Sequence, residues 1–527
     1  MSSKQSCQNK TVSPAWLRDA VFYEIYPQTF YDTNGDGIGD FAGITAKLPY
    51  IRSLGCNALW INPCFDSPFR DAGYDVRDYK RVAPRYGTNE DLYHLFEEAH
   101  RQGIRVLLDL VPGHTSEEHP WFQKSGEEQP NEYWGRYIWS DNWFKGMPGM
   151  PYIGGERPRN GTYMLNFFKC QPALNYGWLH PTESWQDAID SPNALATREA
   201  MKDVMRFWLD RGADGFRVDM AASLVKGDDE HKSGTCMVWR DIREMLDKEY
   251  PEAAMVAEWS CQEQAIAGAG FHMDFLLDHW ENGYHTLVRD GETSFFCRNG
   301  RGDIRRFLSD FMPRYNVSRG RGYIALITCN HDTPRVCPAL TPLEAKLAYA
   351  FLLTLPSVPF VYYGDEIGMR YQADMPTKEG GYTRTGTRTP MQWDKSENLG
   401  FSTAAADQLY LPVDPAPDAP TVEAQEGDPD SMLETVRAII AFRHGHEDLG
   451  PDTDFEPIEI PGEPHALVYR RGNLYLCVNP SGKTVTLPED IVMKMKGLHC
   501  LFAIGIQKTE AKKEQMNGQS FMVFGRG

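Results

Sequence analysis

The chain has no long uninterrupted hydrophobic run. Its most apolar stretch, Leu343 to Leu355, carries Glu344 and Lys346 and stops at Pro356. That is short of the ~20 residues a membrane span needs, and it reads as a buried helix. The first residues, Met1-Ser-Ser-Lys-Gln-Ser-Cys-Gln-Asn-Lys10, show no apolar segment and no cleavage pattern. No CxxC pair occurs among the eleven scattered cysteines. An odd count without a signal points to reduced thiols and a cytoplasmic location. Cys56, Cys64 and Cys329 sit in strand-like runs, as small core fillers do. An excess of positive charge is also missing. The net charge is −19, which speaks against nucleic acid or an anionic membrane surface as a partner. No internal repeat is visible.

What is present is an ordinary globular composition, 41% hydrophobic and 24% charged over 527 residues, too long for one compact core. Aromatics reach 12%, weak support for sugar stacking because rings also fill cores. Eight short apolar runs bounded by turn residues predict strands: Val21–Pro27, Ala58–Pro63, Val106–Val111, Gly215–Val218, Met255–Ala257, Phe271–Leu277, Tyr323–Thr328 and Val358–Tyr363. Helical patterns fill the gaps, among them Asn89 to Arg101 (capped by Asn89, with Gly103 beyond), Thr197 to Asp210 and Val238 to Tyr250. Short apolar strands alternating with helices predict an α/β fold, a (β/α)8 TIM barrel. The Gly-, Pro-, Trp- and Tyr-rich stretch from Thr115 to Trp178 is too long for a loop and predicts an inserted domain after strand 3. A second insertion runs from Met369 to about Gln425, ending in a Pro/Asp-rich loop. Ser431 to His444 reads as the closing helix, and alternating short strands from Leu449 predict a C-terminal all-β sandwich. The expected domains are 1–114 plus 179–448 (barrel), 115–178 (insertion) and 449–527 (sandwich).

Four of the strand ends carry acids or histidines: Asp109-Leu-Val-Pro-Gly-His114, Gly215-Phe-Arg-Val-Asp219, Val256-Ala-Glu258 and Asn330-His331-Asp332. The C-terminal ends of barrel strands are where such folds keep catalytic groups, and two carboxylates suffice to cleave a glycosidic bond. Asp219 follows Arg217 on the same strand face. The cation would keep the carboxylate ionised, as a nucleophile requires, although a plain buried salt bridge gives the same pattern. Glu258 precedes Trp259. An acid in an aromatic, partly dry pocket suits a proton donor; a strand-end glutamate capping the next helix is the alternative. His114 and His331 would hold sugar hydroxyls or serve structure. The order of all four segments favours chemistry. Separately, Asp32-Thr-Asn-Gly-Asp-Gly-Ile-Gly-Asp40 spaces oxygen ligands as a calcium loop does. It is not an EF-hand, since Gly43 stands where the twelfth-position glutamate would be.

These segments resemble those of glycoside hydrolase family 13, the α-amylase superfamily, over nearly the whole chain. The resemblance implies Asp219 as nucleophile, Glu258 as general acid/base and Asp332 as the third, transition-state-stabilising carboxylate. It implies Arg217, His114 and His331 as ligands of the first-subsite sugar, with Tyr74 stacked on it. Gln171-Pro-Ala-Leu-Asn175 resembles a segment of the oligo-1,6-glucosidase group. Arg388-Thr-Pro-Met-Gln-Trp-Asp394 matches one found there and in trehalose synthases and sucrose isomerases. Tyr362-Tyr-Gly-Asp-Glu-Ile367 and Val422-Glu-Ala-Gln425 agree. In this branch an acid at Asp71 pairs with an arginine from the strand-eight insertion, Arg388 with Arg384 as rival, to close the pocket on a terminal glucose. The metal ligands would be Asp32, Asn34, Asp36, the Ile38 carbonyl and Asp40, holding a structural Ca2+. Departures are Gly113 where the family usually has asparagine, Ala173 in the Gln171 segment, and Met220 after the nucleophile. Relatives specific for α-1,6 bonds commonly have valine there, and those specific for α-1,4 bonds alanine or threonine. The expectation is a retaining exo-α-glucosidase acting on small carbohydrates, monomeric or a small homo-oligomer. A glucosyl transferase or isomerase is the alternative.

Overall fold

The structure is a computed structural model that describes residues 14–141, 150–280 and 282–526. The polar segment Met1 to Lys10 lies outside the described residues. Eight parallel strands close into a barrel: β1 (Phe22–Ile25), β2 (Ala58–Ile61), β3 (Arg105–Leu110), β4 (Gly215–Val218), β5 (Ala254–Ala257), β6 (Met273–Phe275), β7 (Tyr323–Ile327) and β8 (Val358–Tyr362). The ring shuts where Phe22 of β1 lies opposite Phe360 of β8. All eight expected strands are present. They read as unbroken apolar runs because helices cover the outside and side chains fill the inside. Rings from four strands pack there: Phe22 on Phe360 at 4.2 Å, Phe360 on Phe275 at 4.8 Å and Phe275 on Trp60 at 5.4 Å.

The helices differ from expectation mainly at their starts. The helix Asn89–Arg101 is capped by Thr88, not Asn89. Thr88 and Asp91 form a reciprocal capping box, while the Asn89 amide accepts from Val82 N–H of the preceding strand at 2.8 Å. The expected helix from Thr197 begins at Pro192, because Ser191 caps it and proline is preorganised for the first turn. The one expected from Val238 spans Ser233–Glu249. The most apolar stretch is the buried helix Pro342–Thr354, and its one glutamate is spent on the cap: Glu344 pairs reciprocally with Thr341. Among the described residues no helix is long and apolar enough to cross a membrane.

Between β3 and β4 a small sheet joins Trp139–Ser140, Thr162–Met164 and Tyr152–Gly154, packed on Ile138, Met164, Ala173 and Trp178. Residues 142–149 of this insertion lie outside the described residues. After the barrel come β9 (Phe455–Glu459), β10 (Leu467–Arg471), β11 (Leu474–Asn479), β12 (His499–Ile504) and β13 (Ser520–Gly525), an antiparallel sheet in the order β9-β10-β11-β13-β12. Its residues alternate as a two-faced sheet must. Leu467, Tyr469, Leu476, Val478, Phe521 and Val523 join the barrel's core. Val468, Cys477, Met522 and Phe524 face a separate core with Ile491 and Met495. The second layer is uneven: a two-stranded ribbon, Val485–Thr486 with Gln515–Met516, and the short helix Glu489–Lys494. Replacing the fully buried Leu476 with alanine should cost about 2–4 kcal/mol, read as a lower unfolding midpoint in denaturant; an unchanged midpoint would show that this face is not packed on the barrel.

Candidate active site

Asp219 and Glu258 stand one residue past the ends of β4 and β5. Their backbone N–H groups still donate to the neighbouring strands, at Leu110 O (2.9 Å) and Val218 O (3.0 Å), so both carboxylates are fixed by the barrel ladder. Between them lies Arg217, its side chain 2% exposed. Nη1 reaches Asp109 Oδ1 at 2.9 Å and Asp219 Oδ1 at 3.1 Å, and Nη2 reaches Glu258 Oε2 at 3.0 Å. One guanidinium thus serves three carboxylates. Asp219 is 10% exposed and Glu258 24%, so both open toward the barrel mouth. Burial and the neighbouring Glu258 push Asp219 upward while Arg217 opposes. Met220 adopts a left-handed backbone, φ 42°, uncommon for a residue with a side chain. That turn aims its N–H at Glu258 Oε2, 2.8 Å away.

The second centre is Asp332. Its Oδ1 accepts from Arg388 Nη2 (2.7 Å) and Arg384 Nη1 (3.1 Å), and Oδ2 lies 3.2 Å from His331 Nε2. Burial works against ionisation, but His331, Arg388 and Arg384 outweigh it and hold Asp332 well below the usual carboxylate range. The ion pair expected between Asp71 and Arg388 falls to Arg384, whose Nη2 is 3.4 Å from Asp71 Oδ1. Arg388 is buried deeper, where its Nε donates to the His331 carbonyl at 2.8 Å. Arg384 sits on the 3-10 turn Tyr382–Thr387 at the rim, steadied by Gly380 O at 2.8 Å, and bridges Asp71 to Asp332. Gln171 Nε2 donates to Asp71 Oδ2 at 2.8 Å. Burial pushes Asp71 up to about 6, against the pull of Gln171 and the arginines.

Tyr74 lies nearly parallel to His331, centroids 5.5 Å apart, its hydroxyl 2.6 Å from His331 Nε2 and 3.2 Å from Asp109 Oδ2. His114 has both ring nitrogens engaged, Nε2 by the Tyr74 carbonyl (3.1 Å) and Nδ1 by Asn166 Nδ2 (3.0 Å). Burial drives it down to about 4, so it is neutral at pH 7. Asn166 in turn accepts at Oδ1 from Lys226 Nζ (3.1 Å), which also donates to Ser223 O (2.6 Å). Sequence reasoning missed this link. Its one visible signal was a lysine closing the apolar run after Asp219. Glu24 was also missed, although a carboxylate inside an expected barrel strand was legible.

The acidic loop after β1 is wound by its own side chains. Asp32 Oδ1 accepts from Asn34 and Gly35 N–H (3.1 and 2.8 Å), Asn34 Oδ1 from Asp36 N–H (2.9 Å) and Asp36 Oδ1 from Ile38 N–H (2.9 Å). Asp40 caps the helix Phe41–Ser53 through Gly43 N–H at 2.6 Å. The donors are hard oxygens, the type Ca2+ takes. Among the described residues no three acidic, His or Cys side chains gather as a metal-binding group. The fit is therefore one of donor type: Asp40 is spent on the helix cap, and the Asp32, Asn34 and Asp36 oxygens, which already accept from the loop's own N–H groups, would be the side-chain donors with the Ile38 carbonyl.

Carboxylates held by buried arginines at the C-terminal mouth of a closed parallel barrel define a class, the barrel enzymes that work on glycosidic bonds. The alpha amylase catalytic domain matches residues 24–451, and the chain belongs to the α-amylase family. It is 34% identical over 488 residues to the trehalose synthase/amylase TreS of Mycolicibacterium smegmatis, covering 82% of this chain and 77% of that one. It is 32% identical over 554 residues to an oligo-1,6-glucosidase of Heyndrickxia coagulans, covering 90% and 94%. Among solved structures, a mutant isomaltulose synthase from Erwinia rhapontici NX5 in complex with D-glucose superposes with TM-score 0.81 at 25% identity, over 98% of this chain and 99% of that one.

A charged lysine only donates, so Lys226 dictates which end of the Asn166 amide faces it, and hence that His114 Nδ1 accepts and Nε2 carries the hydrogen. Lys226→Met should free the amide and lower kcat/KM about tenfold with unchanged circular dichroism. Full activity in that variant would dismiss the link as packing alone.

Proposed function

We propose that the protein is a retaining, exo-acting α-glucosidase of short α-glucosides. The reading is carried by Asp219 and Glu258 sharing the Arg217 guanidinium, beside an Asp332 tied through Arg384 to Asp71. In the reaction, Glu258 gives its proton to the glycosidic oxygen while Asp219 attacks the anomeric carbon; the C–O bond breaks and the aglycone leaves as an alcohol. Oε2 of Glu258 is occupied by Met220 N–H and Arg217, so Oε1 carries that proton. Arg217 opposes the upward push of burial and Glu258 on Asp219 and so favours the anion that attacks. Water then loses a proton to Glu258, its oxygen bonds to the anomeric carbon, and Asp219 is released with α-glucose. Asp332, with Arg388 and His331 about it, grips hydroxyls whose contacts tighten in the transition state. The Asp71–Arg384 pair walls off the far end, which favours a terminal glucose.

A second reading keeps the same carboxylates and passes the glucosyl group to a sugar instead of water. The similarity to a protein named trehalose synthase/amylase, and to an isomaltulose synthase in structure, favours it. Proton NMR of maltose, isomaltose, sucrose and trehalose with the protein separates the two. Early α-glucose is expected for the first; new glycosidic signals without matching glucose would establish the second. Asp71 is ionised only above about pH 6, so KM should climb as pH falls through 6. In Asp71→Ala that dependence and the preference for a non-reducing end should both be lost; a variant that keeps them would remove the end wall from the mechanism.

The loop Asp32, Asn34, Asp36 and Ile38 is further proposed to hold a structural Ca2+, which would add rigidity beside the strand-eight insertion, where Ser402 Oγ donates to Asp32 Oδ2 at 2.5 Å. Chelation should lower the melting temperature in the native protein and leave Asp36→Ala unmoved; equal responses would argue against the site. The described cysteines are all free, which supports a reducing compartment such as the cytoplasm.

A further inference from the structure

Glu24 lies in β1 opposite Trp60 of β2 and Tyr362 of β8, fully buried. A carboxylate in such a place is costly unless paired, and none of the proposed chemical steps uses it. Its Oε1 is 2.8 Å from His331 Nδ1, and its Oε2 has no hydrogen-bond partner. On the other side of the same ring, Nε2 faces Asp332 Oδ2 at 3.2 Å and the Tyr74 hydroxyl at 2.6 Å. That hydroxyl has Asp109 Oδ2 within 3.2 Å to receive its own hydrogen, so it turns a lone pair toward Nε2. Both ring nitrogens therefore face acceptors, and a neutral imidazole has only one N–H.

We propose that Glu24 is a positioning residue that keeps both nitrogens of His331 as hydrogen-bond donors, so that the ring meets Asp332 and Tyr74 as a cation. The inference rests on the reading of Asp332 as the carboxylate that grips the sugar. It gives the site a cation that its arginines do not supply. Glu24, Asp71, Asp109, Asp219, Glu258 and Asp332 are answered by Arg217, Arg384 and Arg388, and carboxylates outnumber guanidiniums. An imidazolium at the centre narrows that gap.

The remaining neighbours of the ring agree. Tyr26 stacks at 6.4 Å and Trp60 meets it edge-on at 5.7 Å, both uncharged at neutral pH. Arg388 approaches the backbone carbonyl of His331 rather than the ring, and Arg217 lies beyond Trp60, 5.0 Å from its ring. The Asn62 amide is 3.0 Å from Nδ1 by its nitrogen, while its Oδ1 has no partner. Turned over, it would offer that oxygen to the Nδ1 hydrogen as a second acceptor. Burial alone would discharge the ring, but Asp332 and Glu24 outweigh it and raise His331 to about 9.

The test is nitrogen NMR of protein labelled in its histidine rings, with His331 assigned by the signal lost in His331→Gln. Both ring nitrogens should carry hydrogen at pH 7 in the native protein and stay so up to about pH 9. In Glu24→Gln only one should. A native Nδ1 without hydrogen, with the proton on Glu24 instead, would overturn the inference, and so would two hydrogens surviving in Glu24→Gln. Should that variant fail to fold, the native titration decides alone. On any α-glucoside the protein cleaves, Glu24→Gln should lower kcat/KM about tenfold and move the alkaline limb of its pH profile to lower pH, where a loss of packing alone would leave the limb in place. If the native protein cleaves none, the proposed function fails while the ring nitrogens still decide the state of His331.

Discussion

The site depends on one buried guanidinium. Arg217 projects from β4 into a space where water does not reach it and where Asp109, Asp219 and Glu258 all converge on it. Without it, three carboxylates would share a low-dielectric pocket. Removing one partner from a buried ion pair typically costs about 3–5 kcal/mol, and here one partner is common to three acids. The arrangement is held from behind by the barrel itself. Asp109 is locked by Trp60 Nε1 at 3.1 Å, and Trp60 is part of the aromatic packing that fills the strands' interior. Packing in the barrel and charge at its mouth are thus one structure: the ring that fills the core also fixes the acid that fixes the arginine.

A second tier of charge sits above the first. Arg388 and Arg384 converge on Asp332, and Arg384 alone extends to Asp71. The two tiers pull on their carboxylates differently. Asp332, ringed by cations, is held anionic, while burial and Glu258 push Asp219 upward and Arg217 opposes them. Two carboxylates that share one guanidinium are the starting condition of the proposed double displacement.

Most of the barrel was legible in the sequence, because strands buried on both faces must be apolar throughout and so stand out against amphipathic helices. Helix starts were less so. Thr88 and Asn89 are both good caps, and only the path of the preceding strand, which takes the Asn89 amide for itself, decides between them. The carboxylates were legible for a related reason, since an acid just past an apolar run is costly unless it works or is paired. The partners of those acids were not. Arg384 and Arg388 sit four residues apart in one irregular insertion, and which one reaches Asp71 depends on how deeply each is buried. The bond from Lys226 to Asn166 spans 60 residues and joins the barrel to the insertion, a pairing that no local pattern encodes.

The two sides of the cleft are built on different principles. The side that would grip the glucose is a closed network of ion pairs, in which every charge is tied to at least one other and a single change propagates. The opposite side, around Met220, Asn166 and Lys226, is held by a backbone turn and single hydrogen bonds rather than ion pairs, with a flexible thioether at its edge. Side chains there, unlike those of the ion-pair network, share no salt bridge with Asp219, Glu258 or Asp332. The acceptor side can therefore vary in side chain without altering the ion pairs about the three carboxylates. This gives a physical reason why proteins similar to this one, with one barrel in common, bear the names of both glucosidases and synthases.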